Sequence, residues 1–133
     1  MFSHVTVGCK DLNLSTKFYN SLLLPLGYKQ REVTLDGGPP SACWVDPTRL
    51  LPRFYVYIPR DKKLASIGNG SMVAFLAPSI EAVNIAYEAG IKAGGINEGM
   101  PGERPNYGEG YYGAYLRDVD GNYLHIAFRA DIN

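Results

Sequence analysis

SHVTVGCKDLNLSTKFYNSLLLPLG, residues 3–27, returns in outline 68 positions later as SMVAFLAPSIEAVNIAYEAGIKAGG, residues 71–95. Ser3 and Ser71, Val5 and Val73, Asp11 and Ser79, Leu12 and Ile80, Tyr19 and Tyr87, Leu23 and Ile91, and Gly27 and Gly95 all keep that offset. Apolar residues match apolar residues easily by chance. Cap, tyrosine and glycine pairs in one register point instead to an internal duplication.

Each copy carries the same local signals. After Asp11, apolar residues fall at Leu12, Phe18, Tyr19, Leu22, Leu23 and Leu26; after Ser79 they fall at Ile80, Val83, Tyr87 and Ile91. This three-to-four spacing predicts a helix in each half. Asp11 and Ser79 can accept from the unpaired amides of a first helical turn, and Gly27 and the Gly94-Gly95 pair supply left-handed helix ends. The remaining apolar stretches are short, rich in Val, Ile, Phe and Tyr, and bounded by Gly and Pro, which favours strands. The expected strands cover 2–8, 28–35, 41–46 and 54–58 in the first half, and 71–77, 95–98, 111–117 and 122–128 in the second. The chain then reads as one α+β domain, 1–133, of two βαβββ modules, about 1–60 and 70–130, joined by a charged, Gly-containing linker at 61–69.

Alternation assigns the faces, because strand side chains point to opposite sides with period two. Val5, Val7, Val56, Ile58, Val73, Phe75, Leu124 and Ile126 form the set expected to pack under the helices. The opposite face carries Phe2, His4 and Thr6, Tyr55 and Tyr57, Met72 and Ala74, and Tyr123, His125 and Ala127. Chemistry is expected on that second face.

Composition removes several classes of function. Among 133 residues, 13 Lys and Arg balance 13 Asp and Glu, so the chain has no electrostatic footprint for nucleic acid or an anionic membrane surface. The longest apolar run, Leu22 to Leu24, is far short of the ~20 residues that span a bilayer, and the first residues lack an export pattern. Cys9 and Cys43 make no CxxC motif and read as reduced thiols, which fits a cytoplasmic protein.

His4-Val5-Thr6-Val7 leading to Asp11, Phe18-Tyr19 leading to Leu26-Gly27-Tyr28, Asn69 to Phe75, and Asp118-Val119-Asp120-Gly121-Asn122-Tyr123-Leu124 together resemble the vicinal oxygen chelate superfamily. That superfamily holds glyoxalase I, bleomycin-resistance proteins and extradiol dioxygenases. The stretches Pro101 to Pro105 and Tyr111 to Ala114 also resemble a subgroup of small glyoxalase-like proteins. The resemblance implies two βαβββ modules forming a curved, half-barrel-like mixed sheet with a cleft, commonly in a homodimer. It further implies that metal-dependent members draw one ligand from the first and last strands of each module. Carried over, His4 fits the first such position and His125 the last, where the family usually has Glu. Met72 stands where those members place His, and Tyr55 or Tyr57 where glyoxalases have Glu. An offset of 68 from His125 selects Tyr57, and an insertion would shift it to Tyr55.

Two readings of the site follow. Zn, Ni, Fe or Mn needs about three nitrogen or oxygen ligands, and only His4 and His125 look competent, with no carboxylate at any of these positions. The leading expectation is a degenerate metal site, no resident cofactor, and a cleft that binds a small organic molecule. His4, Trp44, Tyr55, Tyr57, Met72 and His125 would line it, with Arg104 and Tyr112 at its mouth on a tyrosine-rich loop from Gly99 to Tyr115. The alternative is a divalent-metal lyase, isomerase or extradiol-type dioxygenase that uses His4 and His125. Each histidine is also open to a purely structural role, and Trp44 to a place in the core.

Overall fold

The computed structural model describes residues 1–132. Strand β1 (His4–Gly8) leads into α1 (Leu12–Leu23), whose N-terminus is capped by Asp11 Oδ1 accepting from Leu14 N at 3.1 Å. A 3₁₀ turn follows at Leu24–Leu26 and ends on Gly27, whose φ of 93° is left-handed and costs glycine little. Strands β2 (Lys29–Arg31), β3 (Ser41–Val45) and β4 (Arg53–Tyr57) complete the first half. Strand β5 (Val73–Leu76) opens the second, and α2 (Ile80–Lys92) is capped by Ser79 Oγ accepting from Ala82 N at 3.0 Å. Leu14 and Ala82 are themselves 68 apart, so the two caps are equivalent bonds in the two copies. Here the left-handed residue is Gly94, with φ 107°. Strands β6 (Ile96–Glu103), β7 (Tyr111–Arg117) and β8 (Tyr123–Arg129) finish the chain.

The strands form two mixed four-stranded sheets, ordered β1-β4-β3-β2 and β5-β8-β7-β6, with β1 parallel to β4 and β5 parallel to β8. This is the expected α+β pair of βαβββ modules, present as two separate open sheets. One core serves both halves. Phe18, Tyr19, Leu22 and Leu23 of α1 and Val83 and Ala86 of α2 are buried with Trp44, Phe54, Val56, Phe75, Leu116, Leu124 and Ile126. Phe54 of the first sheet meets Phe75 of the second edge-on, with ring centroids 5.1 Å apart. The helix-facing sides of both sheets therefore look into shared apolar volume, and their other sides face outward. No helix among the described residues is long and apolar enough to cross a membrane.

Two expected segments differ. Strand β2 stops at Arg31 instead of running to 35; residues 32–40, which include Gly37, Gly38, Pro39 and Pro40, leave the sheet. The long loop expected from Gly99 is largely strand, because β6 continues to Glu103 against β7. Its register shifts between Asn97 and Gly99 and again between Gly99 and Gly102, which takes up Pro101 without a ladder bond. Only a 3₁₀ turn at Pro105–Tyr107 and the residues around it remain as loop.

Candidate functional site

The outer face of the first sheet is the floor of a cavity of about 680 Å³. Alternation along β4 sends Phe54 and Val56 to the core and Arg53, Tyr55 and Tyr57 to the cavity. His4 and Thr6 of β1 and Ser41 and Cys43 of β3 continue that floor, while residues 31–34 and 36–39 form the wall. Its volume lies in the range that holds a small organic ligand, roughly 300 to 1,000 Å³.

His4 pairs with Arg53 across the β1–β4 ladder and stands edge-on to Tyr55, with ring centroids 5.5 Å apart. Its Nδ1 is 3.1 Å from Ser3 Oγ, and its Nε2 has no partner among the described residues. The Cys43 thiol is buried, and burial raises its pKa against the lowering influence of the Tyr55 hydroxyl and of Arg53 and Arg31. A neutral thiol, aromatic faces, hydroxyls and cations suit recognition of a polar, flat molecule.

His125 is in a different place. It lies on the outer face of the second sheet, yet is only 2 % exposed, because Tyr115 stacks on it at 4.0 Å and Tyr111 lies parallel at 5.9 Å. Nδ1 is 2.8 Å from the Ala114 carbonyl oxygen, which can only accept, so Nδ1 carries the proton. Nε2 then accepts from the Tyr111 hydroxyl at 2.7 Å. Burial first, and Arg104 after it, lower the His125 pKa, opposed by the Ala114 bond.

The sequence-derived site residues thus divide. His4, Tyr55 and Tyr57 line the cavity; Trp44, Met72, Arg104, Tyr112 and His125 do not. Trp44 is fully buried on the helix side and donates Nε1–H to Asn20 Oδ1 at 2.9 Å. Tyr112 also faces the helices, donating to Asn84 Oδ1 of α2 at 2.7 Å. Met72 is 45 % exposed just before β5. Arg104 donates to the Met100 and Gly113 carbonyls, with its guanidinium 5.5 Å from the Tyr115 ring centre. Sequence reasoning missed Arg31, Arg53 and Arg60. Arg53 follows the same alternation as Tyr55 and Tyr57, one residue before the expected start of the strand at 54.

Strand register also decides between Tyr55 and Tyr57. Thr6 pairs with Tyr55 and its repeat equivalent Ala74 pairs with His125, so Tyr55 is the counterpart of His125 and the second half carries two extra residues. The metal arrangement that the resemblance implies needs further nitrogen or oxygen ligands beside His4. His4 has Tyr55, not a carboxylate, at the position equivalent to His125, and Met72 offers a soft thioether. Both ring nitrogens of His125 are already engaged. No group of three or more His, Cys, Asp or Glu side chains able to hold a metal occurs among the described residues. The residues present do not fit the metal centre.

No family model matches the chain, and neither does any curated protein. Among solved structures, a glyoxalase/bleomycin resistance protein from Albidiferax ferrireducens T118 is 38 % identical, with a TM-score of 0.82 over 97 % of this chain and 98 % of that one. A glyoxalase-related enzyme from Fulvimarina pelagi is 18 % identical, with a TM-score of 0.71 over 97 % of this chain and 88 % of that one. A glyoxalase/bleomycin resistance protein/dioxygenase family enzyme from Burkholderia phytofirmans PsJN is also 18 % identical, with a TM-score of 0.69 over 95 % and 96 % of the two chains. The latter two establish likeness of fold alone.

Proposed function

Because the chain belongs to the glyoxalase/bleomycin resistance protein family of the vicinal oxygen chelate superfamily, we propose that it is a binding protein for a small organic molecule, with a degenerate metal site and no metal requirement. The observation that carries this reading is the cavity of about 680 Å³ over His4, Tyr55 and Tyr57. Fold analogy alone would not select binding over catalysis. The choice rests on the absence, among the cavity-lining residues, of any carboxylate paired with His4 on the strand floor.

The protein works as a homodimer in this reading. The outer face of the second sheet presents Tyr115, Tyr123, Arg104 and Met72, residue types enriched where proteins meet. A second copy laid there would cover these half-buried tyrosines and the exposed Met72. Both cysteines are free and buried, which supports a reducing, cytoplasmic setting.

A thermal-shift screen of small organic acids, phenols and amines, run with and without a chelator, tests the proposal. The expected result is a set of stabilising compounds whose effect ignores the chelator and disappears in a Tyr55→Ala, Tyr57→Ala variant. Stabilisation that requires added metal would overturn it. Sedimentation equilibrium tests the dimer.

A further inference from the structure

Seven arginines occur in the chain, and they fall into two groups. Outside the cavity each has a partner. Arg49 meets Asp46, Arg117 meets Glu98, Arg129 meets Asp131, and Arg104 donates to the Met100 and Gly113 carbonyls. Inside the cavity, Arg31, Arg53 and Arg60 make no side-chain hydrogen bond or ion pair with any described residue. Two carboxylates, Glu32 and Asp36, line the same space, leaving an excess of one positive charge. Asp36 Oδ1 is turned instead to the Gly38 amide at 2.8 Å. Burial keeps the Cys43 thiol neutral, so it gives the arginines no counter-charge either.

Arg53 is the most constrained of the three. It is half-buried in the strand floor beside His4, whereas Arg31 and Arg60 are exposed at the rim. Its Nε is buried and has no acceptor. A guanidinium in that state carries an unmet cost, since a buried donor without a partner loses its hydration and gains nothing in return. The group that would meet it is planar, anionic and able to accept two parallel N–H bonds, from Nε and one Nη.

We propose that the molecule bound in this cavity carries an oxyanion, a carboxylate or a phosphate, that docks on the Arg53 guanidinium, with Arg31 and Arg60 steering it in from the rim. Tyr55 and Tyr57 then flank the uncharged remainder of the ligand. This inference rests on the binding reading above and gives that reading its ligand class.

Titration calorimetry of the full chain with 2-naphthoate, 2-naphthyl phosphate, neutral 2-naphthamide and inorganic phosphate tests it. The expected result is a preference of about tenfold or more for a charged naphthyl probe over the amide, the size of a charge-assisted bidentate contact. The tighter charged arm identifies carboxylate or phosphate, and inorganic phosphate binding as tightly as 2-naphthyl phosphate identifies a free-phosphate site. Arg53→Gln should abolish the preference, Arg53→Lys should restore part of it, and the wild-type Arg53 Nε–H resonance should move on titration. An Arg31→Gln, Arg60→Gln variant, which leaves the strand floor intact, should weaken the charged probes by a few-fold only. Equal affinity for acid and amide, or a preference that survives both sets of substitutions, overturns the oxyanion while leaving the binding function standing. Failure of all four probes at millimolar concentration overturns both.

Discussion

The Tyr111 hydroxyl lies 2.7 Å from His125 Nε2, while the opposite ring nitrogen lies 2.8 Å from the Ala114 carbonyl. The two contacts fix one neutral tautomer, with Nδ1 donating and Nε2 accepting. Protonating Nε2 would cost the ring the hydroxyl donor in its present orientation and put a charge in a buried place.

His125 should therefore titrate below its ordinary value of 6.5. At pH values between the lowered native pKa and 6.5 the unfolded chain binds more protons than the folded one, so stability rises with pH across that window. The contribution is complete above about pH 6.5 and is lost as pH falls through the window toward the native pKa. Urea titrations between pH 4.5 and 7.5 should show that slope in the wild type and a flatter one in His125→Asn. A His125 C2 resonance titrating at or above the ordinary value would contradict the lowering by burial.

Gly113 sits against the same ring. A Cβ at that position would lie 2.6 Å from His125 Cε1 and 2.9 Å from the Ile126 carbonyl oxygen. Neither neighbour is a flexible tip, since the ring is held at both nitrogens and the carbonyl belongs to the sheet. Gly113→Ala should cost about 1 to 3 kcal/mol, as overpacking does in a well-filled interior. It should also disturb the His125 resonance, which distinguishes it from a glycine replaced merely at a turn.

These two residues show what the sequence could and could not disclose. The repeat and its caps were legible because they are local: a cap bond spans three residues, and the 68-residue offset placed both helices and a strand at each of the eight positions, with β2 expected to run past Arg31. The continuation of β6 beyond residue 98 to Glu103 was hidden because glycine, proline and two register shifts break its alternation. On the site side, period two put His4, Tyr55 and Tyr57 on one face. It also grouped His125 with them, although the two histidines belong to different sheets whose outer faces are separated by the shared core. That the His125 ring is covered by Tyr111 and Tyr115 depends on partners 14 and 10 positions away across a hairpin, which no periodicity encodes. Trp44 went to the core because its own strand neighbours Cys43 and Val45 alternate away from α1 while its indole reaches Asn20.

Asp118 should be a principal anchor of stability. It is 1 % exposed and collects four donors: Tyr19 Oη at 2.5 Å, the Asp120 and Asn122 amides at 2.9 Å each, and Asn122 Nδ2 at 2.8 Å. This ties α1 of the first half to the β7–β8 turn of the second. Tyr19→Phe removes one donor of four and should cost about 1 to 2 kcal/mol; Asp118→Ala strands all four and should cost about 3 kcal/mol or more. Urea unfolding midpoints measure both. Equal, small losses would mean that the network is solvated and not a buried tie.

Cys9 should be chemically silent in the folded protein. Burial, with Asp120, Asp118 and Asp11 adding to it, pushes its pKa to about 11. At pH 8 the thiolate that alkylating reagents attack is scarce, and the sulfur is enclosed. Mass spectrometry after iodoacetamide should find Cys9 unmodified in buffer and modified in denaturing urea. Fast native labelling would place the first helix entry in a far more open state than its packing implies.

Metal uptake separates the binding reading from its metal-enzyme alternative most directly. His4 offers a free Nε2, but Tyr55 beside it brings a phenol in place of a carboxylate, and His125 must first give up Tyr111. One willing imidazole is a weak site for Zn, Ni, Fe or Mn. After incubation with each ion and desalting, elemental analysis should find far less than one ion per chain, with no difference between the wild type and a His4→Ala, His125→Ala variant. Near-stoichiometric metal in the wild type, lost in that variant, would mean that His125 can exchange its Tyr111 bond for a coordination bond. In that case Tyr111→Phe should raise metal affinity, because it removes the competing donor without touching either imidazole.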